Sequence, residues 1–416
     1  MFASPRRLDL KLYCTRQRSV NSKTLDIWPA LPIVIYAEDV DSEEDVANVI
    51  SALRHHNRVC RIHYWSLPLQ HSRAFLEEFA AIDEPFQELT SLTLISSGQN
   101  VLVPVLPDSF LGGSAPRLRL IYLQSIPYPS IGRLLSSTTN LVWLSLRSIP
   151  RSGYIAPETI VPCLSMLPRL ESLLLHFQYP RSPAQRETRH PPPLTRVVFP
   201  NLTLLDFQSD IEYLEDILSQ IETPTLNESK FHFFNQLVFD TPLLGHFIRR
   251  TETFMTIHTA CMQIFSDNIV VILPGLGETA DDDQVALNLS ISCKPLDWQL
   301  SALTQVLDSL LSSLQTVESL KIELYHEDWQ GEIEAIQWQE LLHPFTSVKH
   351  VTLDESARLI APALQELAVE SATEVLPALQ DLFLTTSWPP SGPVKEGIER
   401  FIATRQLHGH PVTVHY

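Results

Sequence analysis

One six-residue frame of apolar positions, Leu-x-x-Leu-x-Leu, recurs along the chain. It stands at Leu89-x-x-Leu92-x-Leu94, Leu118-x-x-Ile121-x-Leu123, Leu141-x-x-Leu144-x-Leu146, Leu170-x-x-Leu173-x-Leu175 and Leu202-x-x-Leu205-x-Phe207. After a degenerate middle it returns at Val317-x-x-Leu320-x-Ile322, Val348-x-x-Val351-x-Leu353 and Leu379-x-x-Leu382-x-Leu384. The fourth residues of the first five frames lie 29, 23, 29 and 32 apart, and those of the last three 31 and 31 apart. The last two apolar positions of each frame are two residues apart, so on a strand both point to one face. A single such strand cannot bury that face, so neighbouring copies must stack.

Between the frames the apolar period changes from two to that of a helix. Ile211, Leu214, Leu218 and Ile221 share one helical face over Asp210–Ile221, opened by Ser209-x-x-Glu212 as a capping box. Leu300, Leu303, Val306, Leu307, Leu310 and Leu314 form a longer stripe, and 357–370 and 394–406 read as further helices. Proline precedes several frames (Pro116, Pro168, Pro200, Pro377), where it stops the incoming helix and forces extended backbone. A strand-helix alternation with a period near 30 is the signature of a leucine-rich repeat. The fold class predicted is therefore α/β: a leucine-rich-repeat-like solenoid, with a curved parallel sheet on its concave face and helices on its convex face. It is read as one domain over 1–416, with an irregular N-terminal lead-in over 1–57 and loop insertions near 180–193 and 274–284.

Composition is that of a globular chain, with 44% apolar and 19% charged residues among 416, which excludes disorder throughout. The net charge of −18 is unevenly spread. Residues 1–200 carry 20 basic and 17 acidic side chains; residues 201–416 carry 10 and 31. The second half would repel a phosphate backbone, so no nucleic-acid partner is expected. Its acidity is either a solvated surface or a field that steers basic partners. No apolar run reaches the ~18 residues of a membrane span, so no membrane partner is expected. Five cysteines, an odd number and widely spaced, read as reduced thiols and favour a cytoplasmic or nuclear protein. Sequons at Asn201, Asn227 and Asn288 change nothing, since Asn201 and Asn288 fall within expected strands.

A search for chemistry finds no G-x-S-x-G, H-E-x-x-H, G-x-x-x-x-G-K-[ST] or G-x-G-x-x-G. Leu273-Pro274-Gly275-Leu276-Gly277-Glu278-Thr279 lacks the lysine a phosphate loop needs, and Asp281–Asp283 lacks the glycine and closing glutamate of a calcium loop. Cys60 and His63, with His55 and His56 near, lack a second ligand pair for zinc. His408 and His410 read as a surface loop. No catalytic residue, cofactor or metal is expected: the chain reads as a binding module and not an enzyme. A deep pocket of converging titratable groups would favour an enzyme, and a broad shallow face the binder.

Strand alternation also gives a candidate binding surface. Leu144 and Leu146 point inward, which turns Trp143, Ser145 and Arg147 outward. By the same count Leu120, Tyr122 and Gln124 face out on the preceding strand, Ser172, Leu174 and His176 on the following one. Asp206 and Gln208, with Arg61 and His63, would form the rim. Exposed aromatic, leucine and arginine groups together compose an interaction hot spot. The alternative is that Trp143 packs beneath a loop, for instance the 180–193 insertion.

Several blocks carry a family resemblance. Ser4-Pro5-Arg6-Arg7-Leu8-Asp9-Leu10-Lys11-Leu12-Tyr13-Cys14, Leu25-Asp26-Ile27-Trp28-Pro29-Ala30-Leu31-Pro32-Ile33-Val34-Ile35, Phe231–Gln236, Val375–Gln380 and Phe401–Val412 resemble stretches of fungal F-box-like, leucine-rich-repeat proteins. The resemblance implies a substrate-receptor solenoid whose F-box docks a Skp-type adaptor of a ubiquitin ligase. In the family the F-box precedes the first of these blocks; none is expected in the chain as given, through either a shortened coding sequence or loss of the box. The implied function is the substrate-recognition part of an F-box-type receptor. The alternative is a stand-alone scaffold or binding protein unconnected to ubiquitination. The chain as given is expected not to bind a Skp-type adaptor, which becomes a partner only if an F-box lies upstream; the protein ligand itself stays open.

Overall fold

Each frame becomes one strand, because its two inner apolar residues gain a buried face only when the neighbouring frame lies alongside. The computed structural model describes residues 12–14, 31–38, 43–65, 77–79, 81–96, 105–180, 195–236, 238–254, 257–275, 285–293, 295–325, 334–370, 375–385 and 392–416. The chain packs as two compact units, Met1–Phe207 with Ser219–Thr225, and Gln208–Leu218 with Leu226–Tyr416. Both are mixed α/β, with mostly parallel sheets.

Unit 1 holds strands β1 (Leu12–Cys14), β2 (Ile33–Glu38), β3 (Val59–Trp65), β4 (Ser91–Ile95), β5 (Leu120–Gln124), β6 (Trp143–Ile149) and β7 (Ser172–Phe177), a short β8 (Val197–Val198), β9 (Leu204–Ser209) and a short β10 (Ile221–Glu222). The order β1-β2-β3-β4-β5-β6-β7-β9 follows the chain, and the printed registers from β1 to β7 are all parallel. β8 and β10 pair separately, also parallel. The register keeps the frames aligned: Leu92 opposite Ile121, Ile121 opposite Leu144, Leu144 opposite Leu173. All four are buried. Helices α1 (Glu43–Leu53), α2 (Ile131–Leu135) and α3 (Pro157–Ser165) supply the rest of this core through residues such as Leu53, Leu134 and Ile160. Each fully buried leucine contributes about 2 kcal/mol.

The frame also has a backbone signature. The residue after the first leucine donates its N–H to the equivalent residue of the repeat before: Arg119 to Thr90, Val142 to Arg119, Glu171 to Val142, Thr203 to Glu171, each at 2.8–2.9 Å. The residue before that leucine forms a side-chain ladder. Arg117 pairs with Glu88, Arg169 donates to Asn140 at 3.0 Å, and Asn140 and Asn201 cap the carbonyls of Pro116 and Pro168. Asn201 therefore lies in a turn, not within a strand as expected, because Pro200 bends the chain one residue earlier.

The stretch read as an irregular lead-in is regular where it is described. β2 and α1 lie within it, and β2 pairs parallel with β3. The expectation missed β2 because isoleucine fills its inward positions (Ile33, Ile35) where leucine marks a frame. Most of the insertion near 180–193 (residues 181–194), most of that near 274–284 (residues 276–284) and the family block 4–11 lie outside the described residues.

Unit 2 holds α4 (Ile211–Gln220), β11 (Glu228–Phe233), α5 (Pro242–Arg250), β12 (Thr259–Ile264), β13 (Asn268–Pro274), β14 (Val285–Ser292), α6 (Leu296–Asp308), α7 (Leu311–Leu314), β15 (Ser319–Leu324), α8 (Ala335–Leu342), β16 (His350–Leu353), α9 (Ala357–Glu370), β17 (Asp381–Leu384), α10 (Gly392–Leu407) and β18 (Thr413–His415). Its order is β11-β14-β13-β12-β15-β16-β17-β18. The returning frames pair parallel, as β15 with β16 and β16 with β17. The degenerate middle departs from the expected all-parallel sheet: β13 runs antiparallel to both β12 and β14. The connection between β12 and β13 is only residues 265–267, far too short for the crossover that a parallel pair needs.

Two helix ends differ from the sequence pattern. The cap of α4 is Asp210, whose Oδ1 accepts the N–H of Tyr213 at 3.0 Å; Ser209 instead donates to the Asp210 carbonyl. The long stripe over 300–314 breaks into α6 and α7 around Ser309 and Leu310.

Candidate interaction face

On unit 1 the strand face turned away from the leucine core presents two cross-strand rows. Arg61, Ser91, Leu120, Trp143 and Ser172 stand opposite one another in one row. Tyr36, His63, Thr93, Tyr122, Ser145 and Leu174 form the next. Gln124 and Arg147 pair beyond them. Neighbouring strands are ~4.8 Å apart, so these side chains are contiguous.

Trp143, Leu120, Tyr122, Gln124, Arg147 and His176 are half-buried and reach solvent. Leu174 and Asp206 do not: they are 2% and 5% exposed. Ser145 and Ser172 are buried too. The expectation of an open surface is corrected at these four positions. Ser145 stands between Tyr122 and Leu174, Ser172 stands beside Trp143, and Asp206 sits between the side chains of Arg147 and His176.

That carboxylate is the electrostatic centre of one end of the face. His176 Nε2 lies 2.7 Å from Asp206 Oδ1, and Arg147 Nη2 lies 3.8 Å from Oδ2. A buried charge is retained only when partners compensate it, so Asp206 fixes where Arg147 and His176 point. Tyr122 donates its hydroxyl to Gln124 at 2.8 Å. The residues just past these side chains, Ser125 and Ser148, take φ of +58° and +51°. Non-glycine residues enter that left-handed region at a cost; Ser125 does so directly after β5, and Ser148 inside β6 where its register with β7 shifts.

The other end is aromatic. Tyr36 stacks on His63 with centroids 4.8 Å apart and planes 11° from parallel, and His63 lies 5.8 Å from Trp65. Tyr36 and Trp65 are 40% and 49% exposed. Sequence reasoning named His63 and Arg61 but missed these two. The signal was there: Ile33, Ile35 and Ala37 alternate inward, which turns Tyr36 outward.

Unit 2 carries two polar clusters on its strands. Glu323 accepts from Gln263 (2.9 Å), Tyr325 (3.1 Å) and Lys321 (2.5 Å). These bonds outweigh burial and hold its carboxyl below the usual range. Burial, reinforced by Glu323, pushes the Cys261 thiol up to about 12, so it stays protonated near neutrality and is a poor nucleophile. Farther along, Asp381 is held between His415 Nε2 at 2.9 Å and His350 Nδ1 at 3.1 Å, with His415 stacked on Phe383. Among the described residues no group of three or more His, Cys, Asp or Glu is arranged to hold a metal ion. Among them, too, no helix is long and apolar enough to cross a membrane.

The chain resembles a leucine-rich-repeat protein. That structure is the leucine-rich repeat-containing protein LegL7 from Legionella pneumophila, with a TM-score of 0.30 and 15% identity, covering 78% of this chain and 93% of that one. No protein-family model matches the chain, and no curated protein does. The repeat architecture rests on the strand register itself.

What the face of unit 1 can do chemically follows from its composition. It offers indole, phenol and leucine surface for desolvation, an arginine fork for a carboxylate, and a polar border.

Proposed function

We propose that this chain is a protein-binding receptor and not an enzyme, and that its ligand docks on the sheet face of unit 1 around Trp143. The observation that carries the reading is the alignment of Trp143 with Leu120 and, one row over, Tyr122 with His63 and Tyr36, all on the face away from the core. Large aromatic and arginine side chains grouped on one face are what binding energy concentrates on. The absence of recognisable catalytic motifs in the sequence supports a binder as well. The ligand is a protein; neither nucleic acid nor membrane is its partner.

The finer proposal is that the chain is the substrate-recognition part of an F-box-type ubiquitin-ligase receptor, working in cytoplasm or nucleus. It draws on the resemblance of the blocks 231–236, 375–380 and 401–412 to that family. Affinity capture with mass spectrometry tests both levels, run on this chain, on any longer product of the same gene and on Trp143→Ala. The receptor reading expects a partner that the Trp143→Ala chain loses, together with a Skp-type adaptor and a cullin on the longer product. A partner without the adaptor leaves a stand-alone scaffold; an identical capture set from the variant removes the face.

A further inference from the structure

Unit 2 contains a shallow pocket of about 150 Å³, lined by Asn235, Gln236, Trp298, Ser301, Ala302 and Gln305. Its position follows from helix geometry. Trp298, Ser301, Ala302 and Gln305 are spaced i, i+3, i+4, i+7, so they share one face of α6. The neighbouring stripe of α6, with Leu300, Leu303, Val306 and Leu307, is the one buried in the core. Asn235 and Gln236, just after β11, close the pocket from the other side.

Three properties define what it takes. None of the six lining side chains is ionisable, although residues 201–416 carry 31 acidic groups. Among the described residues, then, the wall offers a ligand neutral donors and acceptors. Next, the two glutamine amides are fixed in place. Gln236 Oε1 accepts the N–H of Ile211 at 2.9 Å while its Nε2 donates to Glu212 at 3.1 Å. Gln305 Oε1 accepts the N–H of Phe239 at 2.9 Å and its Nε2 donates to the Ser301 carbonyl at 3.4 Å. A primary amide has two N–H donors and two acceptor lone pairs, so each retains capacity for a ligand in a set orientation. Last, Trp298 is 50% exposed, a flat apolar plate beside this polar wall.

The geometry points to a neutral pyranose as the ligand of this pocket: one sugar ring, its C–H face on the Trp298 indole and its hydroxyls on the amides of Asn235, Gln236 and Gln305 and the hydroxyl of Ser301. A proline-rich peptide also likes an exposed indole, but it needs an extended groove of several aromatics, and among the described residues this pocket has one. A sugar also uses what a proline ring cannot, namely several donors and acceptors around one ring.

Saturation-transfer NMR on the full chain tests this with the methyl glycosides of glucose, galactose, mannose and N-acetylglucosamine, and with triproline as the competing ligand. One glycoside is expected to bind saturably, with a dissociation constant on the order of 1 mM for so small a ligand. Trp298→Ala and Asn235→Ala are expected to weaken it at least tenfold. Both positions are exposed, and an unchanged thermal midpoint verifies the fold of each variant. Three results overturn the proposal: no glycoside binding in the tens of millimolar, a glycoside that binds folded Trp298→Ala as well as the parent chain, or binding of triproline in place of the sugars.

Discussion

The guanidinium of Arg405 on α10 and the carbonyl of Leu376 meet at 3.3 Å within unit 2. The same group reaches the carbonyls of Val375, Pro377 and Leu379 at 3.4–3.5 Å, and it is fully buried. Leu376 has a φ of +49°, in the left-handed region, within the turn whose carbonyls converge on Arg405. Arginine is the one side chain with enough fixed donors to serve several carbonyls at once. It ties the last long helix to the turn that opens β17.

Removing Arg405 leaves buried carbonyls unsatisfied. Arg405→Ala should therefore destabilise the chain by about 3 kcal/mol, read as a lower urea midpoint. Arg405→Lys should recover less than half, since an ammonium has three donors and no fork. A midpoint within error of the parent for Arg405→Ala would show that the carbonyls are satisfied without it.

Glu215 acts similarly on another helix. It is buried on α4, and its two oxygens accept the N–H groups of Leu243 and Leu244 at 2.9 and 2.8 Å, at the start of α5. A carboxylate there satisfies two orphan donors and meets the positive end of the helix dipole. Glu215→Ala should cost about 2 kcal/mol, and Glu215→Gln roughly half of that, because the amide keeps one acceptor but loses the charge. Equal stability of the Gln and parent chains would mean the charge contributes nothing.

The sequence made the repeating layer legible because one physical requirement recurs there. The frame leucines must alternate inward, so Leu92, Ile121, Leu144, Leu173, Leu320, Val351 and Leu382 could be placed on buried strand positions, and Trp143 on the opposite face, without coordinates. Other features depend on partners distant in the chain. Nothing local at Glu215 announces that it caps a helix 28 residues on, nor at Arg405 that it gathers carbonyls 26 to 30 residues back. The antiparallel β13 was hidden because Ile269–Leu273 is a continuous apolar run, which fixes no strand direction. Alternation turns Leu174 and Asp206 away from the leucine core, but both are buried, and burial depends on what stands around a side chain, which alternation does not report.

Acid should loosen the C-terminal edge of unit 2. The hydrogen bond from His415 beside Asp381, with the charge of both neighbouring imidazoles, holds its carboxyl below the ordinary carboxylate range. A carboxyl depressed in the folded state stabilises it above the group's ordinary value, and that stabilisation is lost as pH falls through the folded value. Thermal midpoints of the parent and Asp381→Asn should therefore differ at pH 6 and converge as the pH falls through the folded value of Asp381. A gap that persists undiminished in acid would assign the effect of the substitution to packing instead.

The most direct test of the account is the affinity of the captured protein partner for the parent chain and for Trp143→Ala, measured by calorimetry. The Trp143 indole lies beside Leu120 in register and next to the Tyr122 row, so the account predicts a loss of about 2 kcal/mol, roughly thirtyfold in affinity, with cooperative unfolding preserved. Unchanged affinity in a folded Trp143→Ala chain would contradict it.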